Sequence, residues 1–206
     1  MQKLLIATTN AGKVREFESL FQGLPIELVS LKSIPNLKEV PETGDTFSEN
    51  ALLKARGYAA QSGMMTLAED SGLCCDALEG APGVFSARFS GENKSDADNN
   101  RKLLALFEKI PVNCRGAQYE SHIAIVRADG QVIGTCSGLV RGVIHHSEVG
   151  SQGFGYDPLF FYPPFQKTFG EVPLDEKNRV SHRAKAMQKA LVILQEFIAR
   201  AAAQRA

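Results

Sequence analysis

Two adjacent carboxylates, Glu69 and Asp70, follow the short apolar run Met64-Met65-Thr66-Leu67-Ala68 and lead straight into Ser71-Gly72-Leu73. The pattern places acids where a strand ends and a loop begins. In open α/β sheets ligands gather outside the carboxyl ends of the strands, so acids there could hold a metal ion or activate a water. A solvated turn or a helix cap uses the same residue types, and an isolated Glu-Asp pair fits either reading.

Three basic features could hold an anion. Thr8-Thr9-Asn10-Ala11-Gly12-Lys13 reads as a strand-to-helix turn, where free backbone N–H groups and the helix dipole attract negative charge and Lys13 adds a full positive one. It is not a Walker loop, because the G-x-x-x-x-G-K-[ST] spacing is missing. Asn10 serves equally as a helix N-cap or as a ligand contact. Asn50 and Lys54, four residues apart, point from one helix face, toward a site or into solvent. Lys177 and Ser181-His182-Arg183 precede the last helix, where such donors can read a carbonyl or a phosphate, although Ser181 also fits a plain N-cap. Arg183 is the most pointed of these, because its fixed fork of donors accepts a 6-oxo purine and meets a 6-amino group as donor against donor.

Residues 150–165 are rich in aromatic side chains among glycines. Core packing accounts for most of them. Phe154 is the candidate for stacking on a planar ligand, since Gly153 and Gly155 on either side let a ligand approach.

The composition narrows the function classes. At 206 residues, with 44% hydrophobic and 22% charged residues, the chain reads as an ordinary globular protein able to bury a sizeable core. Its 23 basic and 23 acidic residues cancel, so broad attraction to nucleic acid or to an anionic membrane is not indicated. No run approaches a membrane span or a signal peptide, which leads to the expectation of a cytoplasmic protein. Cys74, Cys75, Cys114 and Cys136 show neither C-x-x-C nor zinc-like spacing and read as reduced, mostly buried thiols.

The elements that must position these residues follow an α/β alternation. Residues 4–8 read as a buried strand and 12–21 as a helix with Val14, Phe17, Leu20 and Phe21 on one face. Thr46-Phe47-Ser48-Glu49 is a capping box that opens a helix running to about residue 61 and burying Phe47, Ala51, Ala55 and Tyr58. Residues 119–127 and 132–137 flank Asp129-Gly130 as a hairpin, and a final helix starts at His182. With no repeat and no linker, residues 1–206 read as one domain.

Taken together, five motifs resemble those of the inosine triphosphate pyrophosphatase family, in family order and over most of the chain. They are Thr8-Thr9-Asn10 with Lys13 and Glu16; Glu42-Thr43-Gly44 with Thr46-Phe47, Glu49-Asn50-Ala51 and Lys54-Ala55; Glu69-Asp70-Ser71-Gly72-Leu73; Gly153-Phe154-Gly155-Tyr156-Asp157-Pro158; and Ser181-His182-Arg183. The resemblance implies an α/β fold with a long mixed central β-sheet flanked by helices, two lobes with the active-site cleft between them, and a homodimer. It implies Mg2+-dependent hydrolysis of non-standard purine nucleoside triphosphates (ITP, dITP, XTP) to the monophosphate and pyrophosphate, clearing them from the nucleotide pool before incorporation into DNA or RNA.

Carried onto this sequence, the metal ligands are Glu42 and Asp70, and Asp70 is also the proton acceptor. The implied substrate contacts are Thr8, Thr9, Asn10, Ala11, Gly12, Lys13, Lys54, Ser71, Phe154, Gly155, Tyr156, Asp157, Lys177, His182 and Arg183. Magnesium chemistry agrees, since this ion is usually held by one or two carboxylates together with substrate phosphates and waters. Lys13, Lys54 and Lys177 offset the remaining charge of a triphosphate. The chain departs from the family pattern at Glu69, where an aspartate is common, and at Pro41, Gln152 and Ala184. A direct metal role for Glu69 is therefore not implied. The rival readings are a pyrophosphatase of pyrimidine triphosphates, a nucleotide-binding regulator without turnover, and a nucleic-acid binder, the last disfavoured by the zero net charge.

Overall fold

Strand β1 (Gln2–Ile6) shows how the elements stack, because its side chains alternate between two buried faces. Leu4 and Ile6 join Phe17, Phe21, Met187 and Leu194, whereas Leu5 joins Ala51, Ala55 and Tyr58. The first group belongs to helices α1 (Ala11–Phe21) and α5 (His182–Ala203), the second to helix α2 (Phe47–Ser62). The computed structural model describes residues 2–22, 26–92 and 95–203.

The remaining elements are β2 (Ile26–Ser30), β3 (Thr66–Cys75), α3 (Asp96–Phe107), β4 (Gly116–Val126), β5 (Val132–Ile144), β6 (Phe160–Tyr162), β7 (Lys167–Thr168) and the single turn α4 (Leu174–Lys177). The strands form one mixed seven-stranded sheet in the order β2-β1-β3-β4-β5-β6-β7. Parallel pairing sets Leu4 against Leu28 and Leu5 against Thr66, and antiparallel pairing sets Val143 against Phe161 and Phe161 against Thr168. The expected α/β class with a mixed sheet is what the chain adopts.

The chain divides into two compact units, Met1–Asp70 with Ser121–Gly138 and Ala184–Ala206, and Ser71–Glu120 with Leu139–Arg183. In the first, period-two alternation continues along β4, which sends Ile123 and Ile125 to the α1 and α5 side and Ala124 and Val126 to the α2 side. In the second, Leu73, Leu103, Phe107, Tyr119, Tyr156 and Phe160 share one core. Arg115 is buried there and donates to the carbonyls of Phe107, Ile144 and His145, so its guanidinium joins the Ile110 N–H on the last carbonyl of α3 and ties that end to the chain after β5. Among the described residues no helix is long and apolar enough to cross a membrane.

Several expectations need correction. Strand β1 begins and ends two residues earlier than read, and both hairpin strands run further at the ends away from Asp129-Gly130. Glu69 and Asp70 do not end a strand; they lie inside β3, which continues through Ser71 and Gly72 to Cys75. Gly72 marks a close approach instead of a stop, since a Cβ there would lie 2.3 Å from Ser86 Oγ, the atom that accepts the Leu73 N–H at 2.9 Å. Cys114 is exposed, not buried. Burial pushes the Cys74 and Cys75 thiols up to about 12 and the Cys136 thiol up to about 11, so these three stay protonated at neutral pH.

Candidate functional site

Because side chains alternate along β3, Glu69 and Asp70 face opposite sides of the first unit. Glu69 points to the α1 side, where its Oε2 lies 3.1 Å from Lys13 Nζ and its Oε1 accepts from Ser121 Oγ at 2.8 Å. Asp70 points to the α2 side, with Oδ1 3.1 Å from Lys54 Nζ. The same ammonium lies 2.9 Å from Glu42 Oε1, so Lys54 joins the two carboxylates that the sequence singled out. Lys54 is 7% exposed and therefore not a solvated surface residue. Burial pulls its pKa down, but the charges of Asp70 and Glu42 outweigh that and hold it above the ordinary lysine value.

Asp70 Oδ2 is buried and has no hydrogen-bond partner among the described residues. An unpartnered buried carboxylate oxygen is costly, and a cation or a water beside it removes the cost. Among the described residues no cluster of three or more His, Cys, Asp or Glu could hold a metal. Two carboxylates are too few for a structural zinc site but fit Mg2+, which takes its other oxygens from phosphates and water.

The loop that carries Glu42 is fixed by α2. Thr46 Oγ1 accepts the Glu49 N–H at 3.2 Å and Glu49 Oε2 accepts the Thr46 N–H at 3.1 Å, completing the expected capping box. One turn on, Asn50 is 1% exposed, and its carboxamide bonds both the N–H and the C=O of Gly44, at 2.8 and 3.3 Å. Asn50 thus ties down the chain two residues beyond Glu42, whereas its spacing from Lys54 suggested only a shared helix face turned to a site or to solvent. Ser121, the partner of Glu69, carried no sequence signal at all.

At the start of α1 the side chain of Asn10 acts as N-cap, accepting the Lys13 N–H at 3.1 Å, while Thr8 Oγ1 accepts the Asn10 N–H at 3.2 Å. The first turn contains no acid, so this helix end keeps its pull on anions. Thr9 and Ala11 are exposed beside it, and Gly12 is buried.

The second unit gathers the other candidates. Lys177 Nζ lies 2.6 Å from Asp157 Oδ2, and both side chains are 2% exposed. The ring of Phe154 has Lys177 Nζ 5.1 Å and Arg183 Cζ 5.6 Å from its centroid, so two cations face one aromatic surface. Arg183 Nη2 donates to Ser71 Oγ at 3.0 Å. His182 stacks on Tyr119 with centroids 4.7 Å apart and planes 13° from parallel. Tyr156 is a core residue whose hydroxyl donates to the Ser86 carbonyl at 2.9 Å. Gly153 and Gly155 both have positive φ, and a Cβ at Gly153 would lie 2.0 Å from Asp157 Oδ2, so the turn that presents Phe154 requires glycine there.

The Ham1 family model matches residues 4–193. A dITP/XTP pyrophosphatase of Desulforamulus reducens is 47% identical over 192 residues, covering 93% of this chain and 95% of that protein. A dITP/XTP pyrophosphatase of Geobacter sulfurreducens is 49% identical over 187 residues, covering 91% and 94%. Among solved structures, a HAM1 protein from Coxiella burnetii superposes with a TM-score of 0.86 at 37% identity, covering 95% of this chain and 100% of that one.

Proposed function

The chain belongs to the Ham1 family, and from that membership we propose that it hydrolyses ITP, dITP and XTP to the nucleoside monophosphate and pyrophosphate. The observation that carries the reading is Lys54 joining Glu42 and Asp70 while Asp70 Oδ2 stays without a partner. The relatives that bear the name dITP/XTP pyrophosphatase support the choice of substrate.

In the first unit, the α1 end formed by Thr8, Thr9, Asn10, Ala11 and Gly12 holds phosphate oxygens with backbone N–H groups, and Lys13 adds charge. Glu42 and Asp70 would hold a Mg2+, which when bound offsets phosphate charge and lowers the pKa of a bound water. Lys54 keeps one oxygen of Asp70 occupied, so the carboxylate cannot swing away, and Oδ2 accepts the proton of the attacking water. Water oxygen bonds to the α-phosphorus, the bond to the bridging oxygen breaks, and Lys13 and Lys54 draw the charge that builds on the departing pyrophosphate.

In the second unit, Phe154 stacks on the base and Arg183, oriented by Ser71, donates to the 6-oxo group. Lys177, paired with Asp157, adds positive charge beside the ring. Gly155, Tyr156 and His182 shape the surround. The family resemblance further supports a homodimer working in the cytoplasm. The test is product analysis with ITP in oxygen-labelled water. IMP and pyrophosphate are expected in equal amounts, with the label in IMP, with loss on chelation and recovery on adding Mg2+. IDP with phosphate, or turnover indifferent to chelator, would contradict the reading.

A further inference from the structure

The turn that presents Phe154 is held from outside by α3. Asp96 opens that helix, and its Oδ2 accepts the Gly155 N–H at 2.7 Å. Asn100 follows one turn later on the same face, and its Nδ2 donates to the Gly155 carbonyl at 3.2 Å and to Glu148 Oε2 at 3.3 Å. Both Asn100 partners are acceptors, which fixes the orientation of its amide. Asp157 Oδ2 in turn accepts the Phe154 N–H at 3.0 Å. The backbone is thereby bonded at Phe154 and at both polar groups of Gly155.

We propose that Asp96 and Asn100 are positioning residues for base recognition, gripping the N–H and C=O of Gly155 so that the Phe154 ring is already in place when a purine arrives. The proposal rests on the reading that Phe154 stacks on the base. A glycine with φ of +61° is the residue least restrained by its own sterics, so a turn built on it needs outside bonds to stay in one conformation. Holding it before binding removes an ordering cost that would otherwise be met on each encounter. Neither residue touches the reacting phosphates in the proposed mechanism, so the effect falls on binding and leaves the chemical step alone.

Kinetics of ITP hydrolysis test this with Asp96→Ala, Asn100→Ala, Phe154→Ala and the double variant Asp96→Ala/Phe154→Ala. Asp96→Ala and Asn100→Ala are each expected to raise KM about five- to tenfold with kcat changed less than about twofold. Phe154→Ala is expected to raise KM about tenfold or more, and the double variant no further, because the clamp then has no ring to hold. Asp96→Asn, which keeps an oxygen acceptor, should recover most of the loss. Asp96 is exposed, so its alanine variant decides the matter even if Asn100→Ala fails to fold. Wild-type KM in Asp96→Ala beside a raised KM in Phe154→Ala would overturn this proposal alone, as would strictly additive effects in the double variant. An unchanged KM in Phe154→Ala would overturn the stacking reading and this proposal with it.

Discussion

Asp70→Asn is expected to leave a folded protein that releases pyrophosphate from ITP about a thousandfold more slowly, or worse. Asparagine keeps the shape of the side chain but cannot take a proton at Oδ2 and is a poor ligand for Mg2+. General-base catalysis by a placed side chain is worth about 10²- to 10⁴-fold, and a metal effect adds to it. The fold should survive, because Lys54 keeps Glu42 at 2.9 Å as a carboxylate partner. The change also removes the larger of the two carboxylate charges that raise the pKa of Lys54, so that value should fall toward the ordinary one. Circular dichroism and a melting curve establish the fold, and steady-state rates read the loss. Activity within about tenfold of wild type would mean that Asp70 is neither base nor metal ligand.

The second large effect concerns stability. Asp157→Ala is expected to destabilise the protein by about 3 to 5 kcal/mol, because it leaves the Lys177 ammonium, 2% exposed, without the carboxylate 2.6 Å away. For a chain of this size that corresponds to a fall in melting temperature of roughly 6 to 20 °C. The variant also loses the acceptor of the Phe154 N–H, so binding should weaken in the fraction that remains folded. Asp76 is the control. Its pair with Arg141 holds the carboxyl below the ordinary range, yet both side chains are half exposed, and Asp76→Ala should cost less than about 1 kcal/mol. Equal losses in the two variants would contradict the assignment of Lys177 and Asp157 as a buried pair.

These two outcomes depend on features that were unequally legible in the sequence. The helices were plain where local chemistry marked them. The Thr46 and Glu49 capping box started α2 where expected, and Phe47, Ala51, Ala55 and Tyr58 are buried as their spacing required. His182 opens the last helix as read. The motif resemblance led to the Ham1 family, whose model covers nearly the whole chain.

What escaped were contacts made over long sequence separations. Gly72 looked like a strand terminator because nothing local shows that Ser86 fills the space of its missing side chain. The acids therefore seemed to lie at a strand end, when alternation within β3 is what sends Glu69 toward Lys13 and Asp70 toward Lys54. The i, i+4 relation of Asn50 and Lys54 was visible, but burial of a lysine depends on two carboxylates, and no helix pattern announces them. Ser121 reaches Glu69 across 52 positions and could not have been paired with it from one sequence. In the aromatic run the flanking glycines singled out Phe154, whose ring two cations face, but the resemblance set Tyr156 beside it as a substrate contact, and only the fold shows that ring packed in the core.

The proposed activity distinguishes a 6-oxo purine from other bases and cleaves its triphosphate at the α-phosphorus. The most direct measurement is pyrophosphate release from ITP, XTP, dUTP and ATP at matched concentrations with Mg2+, for wild type and Arg183→Ala, with melting curves to verify the variant's fold. Wild type is expected to act fast on ITP and XTP and to be nearly silent on ATP and dUTP. Loss of the charged donor should cut the preference for ITP over ATP by about ten- to a hundredfold in the variant. Equal rates on all four nucleotides in wild type, or an unchanged preference in a folded Arg183→Ala, would contradict it.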